Sequence, residues 1–443
     1  MISTDPRAHP RLRAWLTDDP ADPGRWPLDR PEVQRLIAEI APGSPATDLG
    51  GVMSLNAHLQ AAGLVLRVHQ PFVTRARLLA QHALRSALGA QGLLVPPVVA
   101  WRGRTAFRCG RRWAELDGYL PGERLPHALD AYLWLFEQMG VLHRVLARLD
   151  LRLPRPLAAT YAPPGTVDRW LPVTGAAVRH DPQAAALAER MRATIATLRR
   201  RWVPASALPI QLVHGDVRHG NVRRAPDGRT VFLDFGFAAR RPRVHDLAYT
   251  LFFMVLALAE DAPGRFPWHE VPRLVATYEA AAGWRLTLEE RRALVPYAAA
   301  VPLFAAALDG FTEDPTSKLR GRADFLSLGE YLSPANLLRE CIADVLTLPF
   351  VGHFEPSVAD ERYLSLWHDA LDVAGKEKQP CIGWNVVHAL AGEAAAPVEP
   401  LDGVVSRDAA EHLDVALDLP RIEVVQRRTF GHLAIPAGIA SID

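Results

Sequence analysis

Apolar residues in this chain follow two periods, and the change from one to the other falls near Gly118. Between residues 45 and 117 they arrive mostly in short runs bounded by turn formers, the pattern of strands. Thr47 to Gln70 reads as strands, with Leu64–Val68 the clearest, entered through the turn Ala62-Gly63. Leu78, Leu79, Leu84 and Leu88 then fall roughly on a helical period across Val73–Ala90, and Leu94-Val95-Pro96-Pro97 ends that helix. Val98–Trp101 and Thr105–Leu116 predict two more strands around the turn Arg102-Gly103-Arg104. A small, mainly antiparallel lobe with one helix is expected here.

After Gly118 long amphipathic patterns take over. Helices are predicted over Ala128–Leu149 and Pro182–Trp202, and again from Asp246 to about Val345. Tyr132, Trp134 and Phe136 alternate along the first of these, so they cannot share one face and read as core and boundary residues. Two short strands, Gln211–Val213 and Val231–Leu233, interrupt the helices. In front, residues 1–30 are rich in proline and aspartate and read as a loose arm, after which Pro31 opens a short helix to about Ile40. Behind, Ala391–Pro400 has the composition of a linker. The expected organisation is an α+β fold. Residues 1–44 form an arm and short helix, 45–117 a β-rich lobe, 118–345 a helical lobe, and 346–443 a C-terminal extension of unclear structure.

Composition narrows the function classes. The chain has 443 residues, 50 basic and 49 acidic side chains, and an apolar fraction of 49%. A disordered polyelectrolyte would be less apolar and more highly charged. A net charge of +1 excludes a strongly basic nucleic-acid binder, though not a local basic patch. The longest apolar stretch, Leu247–Ala259, falls short of the roughly 20 residues of a membrane-spanning helix, and no apolar run follows the N-terminus. Three scattered cysteines fit neither a disulfide scaffold nor a CxxC metal site. The expectation is a cytoplasmic protein with no membrane or nucleic-acid partner. One bias matters for chemistry: the only lysines are Lys318, Lys376 and Lys378, against 47 arginines. A mechanism that needs lysine in the first two thirds of the chain is excluded.

The segment His214-Gly215-Asp216-Val217-Arg218-His219-Gly220-Asn221 follows a strand, and Asp234-Phe235-Gly236 follows the next. Asp246 then opens an apolar helix. A carboxylate at a strand end sits on the rim of the core, where it can face a ligand. Phosphoryl transfer needs a carboxylate to orient the attacking hydroxyl, oxygen ligands for magnesium, and cations on the phosphates. Asp216, Asn221 and Asp234 supply the first two. Asp216 and Asn221 are five apart, the spacing of a kinase catalytic loop, and Asp-Phe-Gly repeats the metal-binding triplet.

On these residues the chain resembles the aminoglycoside phosphotransferase and choline kinase superfamily, small-molecule kinases with a two-lobed protein-kinase-like fold. Gly50-Gly51 through Asn56 and Tyr119-Leu120-Pro121-Gly122-Glu123 are weaker matches. The resemblance covers about residues 40–340. It implies Asp216 as catalytic base, Asn221 and Asp234 as Mg2+ ligands, and His214 and Asp246 as supports of the catalytic loop. Gly50, Gly51 and Arg67 would bind the phosphates of ATP or GTP. A hinge around Trp113–Gly118, with Glu115 and Leu116, would offer backbone groups to the purine. The implied activity is transfer of the γ-phosphate to a hydroxyl of an amino alcohol, a homoserine-like molecule, a sugar or an aminoglycoside.

Two departures stand out. Arg67 occupies the place of the family's phosphate-holding lysine; it keeps the charge but is longer and planar. Residues 71–90, where an acidic partner for that cation is expected, contain no acidic residue, and Gln81 is the nearest polar candidate. That gap motivates an alternative, a pseudokinase or nucleotide-binding regulatory module. A protein substrate is disfavoured, since no Ala-Pro-Glu segment follows Asp234. Acidic residues after Asp246, namely Asp261, Glu270, Asp309 and Glu313, are the candidates for meeting an amino group on the acceptor. Arg240, Arg241 and Arg243 read as a solvated basic face.

Overall fold

Alternating burial builds the first lobe. In the computed structural model, which describes residues 24–332 except 52, 155–157, 161–162 and 260–265, together with 433–434, it comprises α1 (Pro31–Ile40), β1 (Ala46–Asp48), β2 (Leu55–Leu59), β3 (Leu64–Val68), α2 (Arg75–Ala90), β4 (Val98–Val99), β5 (Phe107–Cys109) and β6 (Arg112–Gly118). The strands pair antiparallel in the order β1-β2-β3-β6-β4, with β5 also on β6. Side chains alternate across a strand, so β3 and β6 present two unlike faces. Leu66, Val68, Ala114 and Leu116 pack into an apolar core with Val33, Leu36 and Ile37 of α1. Arg67, Glu115 and Asp117 belong to the opposite face and meet α2, as the ion pairs of Arg85 with both carboxylates show.

Two expectations change here. The loose arm docks from residue 24 onward: Trp26 is buried in the apolar core, with the guanidiniums of Arg30 and Arg112 over its ring. The proposed strand Thr105–Leu116 is a hairpin, because Gly110 takes a left-handed φ of 54° and turns the chain between β5 and β6.

The second lobe continues with β7 (Glu123–Arg124), α3 (Leu129–Leu146), β8 (Ala158–Ala159), α4 (Pro164–Val178), α5 (Pro182–Arg201), β9 (Ile210–Val213), β10 (Val222–Arg224), β11 (Thr230–Phe232), β12 (Ala239–Pro242), α6 (Val244–Leu258), α7 (Val271–Ala282), α8 (Leu288–Asp309), α9 (Pro315–Arg320) and α10 (Ala323–Leu332). Small antiparallel sheets, β11-β10-β7 and β12-β9, carry the loops between them, and β13 (Leu433–Ala434) runs parallel to β8. The α+β architecture expected from the sequence is the one observed. The linker at 391–400 and residues 346–432 lie outside the described residues.

Helix α8 starts at a capping box made by Thr287 and Glu290 and packs against α4, α5, α6 and α10. By length and composition it could cross a membrane, a candidate the sequence reading missed, but 94% of its apolar window is buried inside the protein. Its apolar surface is core. Arg243 is not part of a solvated face either: it forms a two-pronged pair with Glu290, at 2.5 and 2.7 Å, and Arg241 is buried. Of that trio only Arg240 is exposed. Tyr132 and Phe136 are buried, and Trp134 is partly covered under Arg224.

Helices α3 and α7 approach most closely at Gly140. A Cβ there would fall 2.5 Å from the Tyr278 carbonyl oxygen. Gly140→Ala should therefore force the pair apart and lower stability by about 1–3 kcal/mol. Urea unfolding of the variant against the parent chain measures this.

Candidate active site

The loop at 214–221 hangs from one buried carboxylate. Asp246, in the first turn of α6, is fully buried, and its oxygens accept the backbone N–H groups of His214 and Gly215, both at 2.8 Å. His143 on α3 adds a third contact, Nε2 to Asp246 Oδ2 at 3.0 Å, and its other ring nitrogen meets the Tyr278 hydroxyl at 2.9 Å. Burial alone would raise the Asp246 pKa. The hydrogen bond and charge of His143 outweigh it and hold the carboxyl at about 2. Gly215 takes φ of 84° and lies so close to the Asp-Phe-Gly segment that a Cβ would sit 2.5 Å from the Phe237 carbonyl oxygen. His214 ties the same two segments: its Nε2 meets the Leu233 carbonyl at 2.8 Å, and its Nδ1 accepts the Asp216 N–H at 3.3 Å.

Asp216 thus projects from a fixed backbone. Asn221 Nδ2 donates to its Oδ2 at 2.7 Å and to its carbonyl oxygen at 2.9 Å. Arg218, which the sequence reading left without a role, places Nε 3.1 Å from Oδ1. Burial raises the Asp216 pKa, Arg218 opposes it, and the nearby charge of Asp234 adds to the rise. The carboxylate is therefore a stronger proton acceptor than an exposed aspartate.

Asp234 has φ of 59°, an unusual left-handed value for a residue with a side chain. Its carboxylate accepts the Gly236 N–H at 3.3 Å and Arg67 Nη2 at 3.1 Å. Burial works to raise its pKa, but Arg67 more than compensates and keeps it below the usual range. Arg67 Nε also donates to Asn56 Oδ1 at 3.1 Å, and Asn56 Nδ2 donates to the Gly50 carbonyl at 2.9 Å. The turn at Gly50 and Gly51, with φ of 80° and 103°, is thereby tied to the cation.

Arg67 has acidic partners after all. Glu115 is its register partner on β6, with Oε1 3.9 Å from Nη1. The acid absent from the helix sits on the adjacent strand, and the helix carries cations instead. Arg85 of α2 reaches Glu115 at 2.6 Å and Asp117 at 2.5 Å, and His82 and His69 lie 2.6 and 2.9 Å from Glu115. Burial pushes Glu115 up, but Arg85 and the two histidines bring it well below the ordinary value. Asp117 goes the other way, to about 6, through burial and the charge of Glu115 with Arg85 opposing.

Glu115 and Leu116, expected to offer backbone groups at a hinge, lie inside β6 and are bordered by β3 on one edge; Leu116 also pairs with Val99 on the other. Beyond them, the Gly118 N–H goes to the Pro97 carbonyl and the Tyr119 N–H to that of Gly63. Glu115 acts here through its side chain. Among the acidic candidates for the acceptor, Asp309 is buried against Arg322 at 2.9 Å, and Glu270 pairs with Arg273 and His269. Glu313 is exposed, and Asp261 lies outside the described residues.

Sequence reasoning missed a further residue, Arg77 of α2. Its buried guanidinium donates to the carbonyls of Pro154 at 2.7 Å, Gly236 at 3.0 Å, and Ala238. Burial, with Arg241 nearby, brings its pKa down to about 9. No motif marks such a residue, since its partners are main-chain atoms far away in sequence.

Asp246 gives a test of the loop. Its folded pKa lies below the unfolded value of roughly 3.9, so its contribution to stability is complete above about pH 4 and is lost as pH falls toward 2. Asp246→Asn should cost about 2–4 kcal/mol at neutral pH and flatten that acid limb. Denaturant titrations between pH 2 and 7, compared with the parent, measure both.

The model of the phosphotransferase enzyme family matches residues 48–295, more than half of the chain. A search of curated proteins found no match. Among solved structures, a microcompartment-associated aminopropanol kinase aligns with TM-score 0.54 at 15% identity, over 72% of this chain and 99% of that one. Amicoumacin kinase hAmiN, solved with AMP-PNP, Ca2+ and Ami, aligns with TM-score 0.52 at 14% identity, over 70% and 97%. At such identities the likeness is one of fold, while the family match spans the loop at 214–221, the turn at 234–236 and Arg67. The chain belongs to the phosphotransferase enzyme family.

Proposed function

We propose that the protein transfers the γ-phosphate of a magnesium-bound purine nucleoside triphosphate, ATP or GTP, to a hydroxyl of a small molecule. The observation that carries this is the placing of two side-chain pairs, Asp216 with Asn221 and Asp234 with Arg67, on adjacent segments joined by the Leu233 N–H to the Asn221 carbonyl at 2.8 Å. The hAmiN kinase was solved with a nucleotide analogue and a divalent cation, which supports a nucleotide and a metal here.

The donor set suits a hard cation. Asp234 is held ionised, and the amide nitrogen of Asn221 is occupied by Asp216, which leaves its carbonyl oxygen for a metal. Two protein oxygens are too few alone, so phosphate and water oxygens complete such a site. Magnesium bound there would neutralise charge on the transferred group. Asp216 orients the acceptor hydroxyl and takes its proton. Arg67 and the turn at Gly50 and Gly51 hold the phosphates from the other lobe. Arg218 lies close enough to Asp216 to stabilise negative charge beside it. One ground for a pseudokinase, a cation without an acidic partner, does not hold, since Glu115 and Asp234 both meet Arg67.

Asp216→Asn should abolish acceptor-dependent ADP release while leaving nucleotide affinity nearly unchanged. In the parent protein the rate should fall on the acid side through a pKa above that of ordinary aspartate. Retained turnover in the variant would refute the assignment.

Arg77→Met should cut kcat roughly ten- to hundred-fold by loosening the Asp234 turn, and raise the magnesium needed for half-maximal rate. Arg77→Lys should recover part of both. Steady-state kinetics across a magnesium series measures this, with thermal melting to separate a loss of fold.

A further inference from the structure

Helix α6 follows the loop at 214–221 along one of its faces. Asp246, in the first turn, receives the N–H groups of His214 and Gly215. One turn on, Thr250 donates to the Val217 carbonyl at 2.8 Å. Beyond it, the Arg218 guanidinium lies 5.6 Å from the centre of the Phe253 ring. Residues three and four apart share one face of a helix, so Tyr249 belongs to this face, between Asp246 and Phe253. Its ring lies 4.8 Å from that of Phe253 and 6.1 Å from that of His245. Loop residues 214, 215, 217 and 218 thus meet α6 on either side of Tyr249, and the loop residue left opposite it is Asp216.

The two oxygens of Asp216 differ. Oδ2 accepts Asn221 Nδ2, on the side of the proposed metal ligands. Oδ1 is enclosed, and although Arg218 Nε stands 3.1 Å away, neither atom completes a hydrogen bond. A carboxylate held at one oxygen can turn about its bond to the chain, and a buried acceptor atom without a donor is costly. Tyr249 has the converse need. It is 2% exposed, and a buried phenol hydroxyl calls for a partner. Burial, followed by the charge of Asp216, pushes its pKa well above the ordinary value, so it stays a donor. A phenylalanine would fill the same space without that need.

We infer that Tyr249 is a positioning residue for the transfer: its hydroxyl donates to Asp216 Oδ1 and sets the plane of the carboxylate that meets the acceptor hydroxyl. This rests on the phosphotransferase function proposed above. An ionised carboxylate offers about four acceptor directions. Asn221 takes one on Oδ2 and Tyr249 one on Oδ1, which leaves the second direction of Oδ1 for the hydroxyl that gives up its proton. Without the phenol, the carboxylate tilts about the single anchor at Oδ2. A small misplacement of that kind lowers rate far more than it lowers affinity.

The test uses the full chain with its tyrosines replaced by fluorotyrosine. Tyr249→Phe removes one fluorine resonance and so identifies it. Asp216→Asn should move that resonance more than any other; if it stays in place, the contact and the inference fail whatever the activity. Steady-state ADP release is then measured with magnesium-ATP and the fastest of 1-amino-2-propanol, homoserine and glucose. Tyr249→Phe should lower kcat about tenfold, with acceptor and nucleotide KM each within about twofold and the melting temperature within about 2 °C of the parent. An unchanged kcat, or a loss shared with acceptor KM or with melting temperature, would overturn the inference. A resonance that moves in a protein that turns over none of the three acceptors keeps the contact and counts against the kinase function instead.

Discussion

A largely covered guanidinium between two lobes calls for carboxylates beside it, and that requirement organises this molecule. Arg67 lies between Glu115 of its own sheet and Asp234 of the second lobe. Taking such a charge out of water is costly unless it is paired and hydrogen-bonded. The pairing therefore does structural and chemical service together. It fixes the guanidinium of Arg67, keeps Asp234 ionised, and links the sheet to the Asp-Phe-Gly turn. Asn56 extends the linkage to the glycine turn at the edge of the sheet.

The second lobe solves a related problem with main-chain groups. A sharp loop leaves N–H groups pointing inward, and Asp246 receives two of them on a carboxylate that no solvent reaches. His143 and Tyr278 extend this into α3 and α7, the helices drawn together at Gly140. Arg77 does the converse on the neighbouring turn, satisfying inward-facing carbonyls with one side chain. The loop at 214–221 and the Asp-Phe-Gly turn are thus held by a buried anion and a buried cation respectively.

The parts legible in the sequence were those with local signatures. Asp216, Asn221 and Asp234 stand at recognisable spacings after short apolar runs, and the change of period near Gly118 marks the boundary between sheet-rich and helical parts. What could not be read was pairing between distant positions. The absence of acids in residues 71–90 looked like a missing partner for Arg67, because a one-dimensional pattern does not reveal that residue 115 lies opposite residue 67. The same limit hid Arg77, whose partners are carbonyl oxygens. It also made Arg243 look solvated and Asp309 look available, since Glu290 and Arg322 come beside them only in the folded chain. The hairpin turn at Gly110 was missed for a different reason: one left-handed glycine inside a strand-like run carries little signal.

Moving the acid from helix to strand has a consequence for how this sequence can change. Arg67 and Arg85 share Glu115, while Arg85 also holds Asp117 and Arg67 also holds Asp234. With His69 and His82 on Glu115 these side chains form one connected cluster, and replacing Glu115 leaves Arg85 half-matched where it is buried. A change at one position of this cluster is therefore felt in both lobes, since Glu115 and Asp234 meet through Arg67.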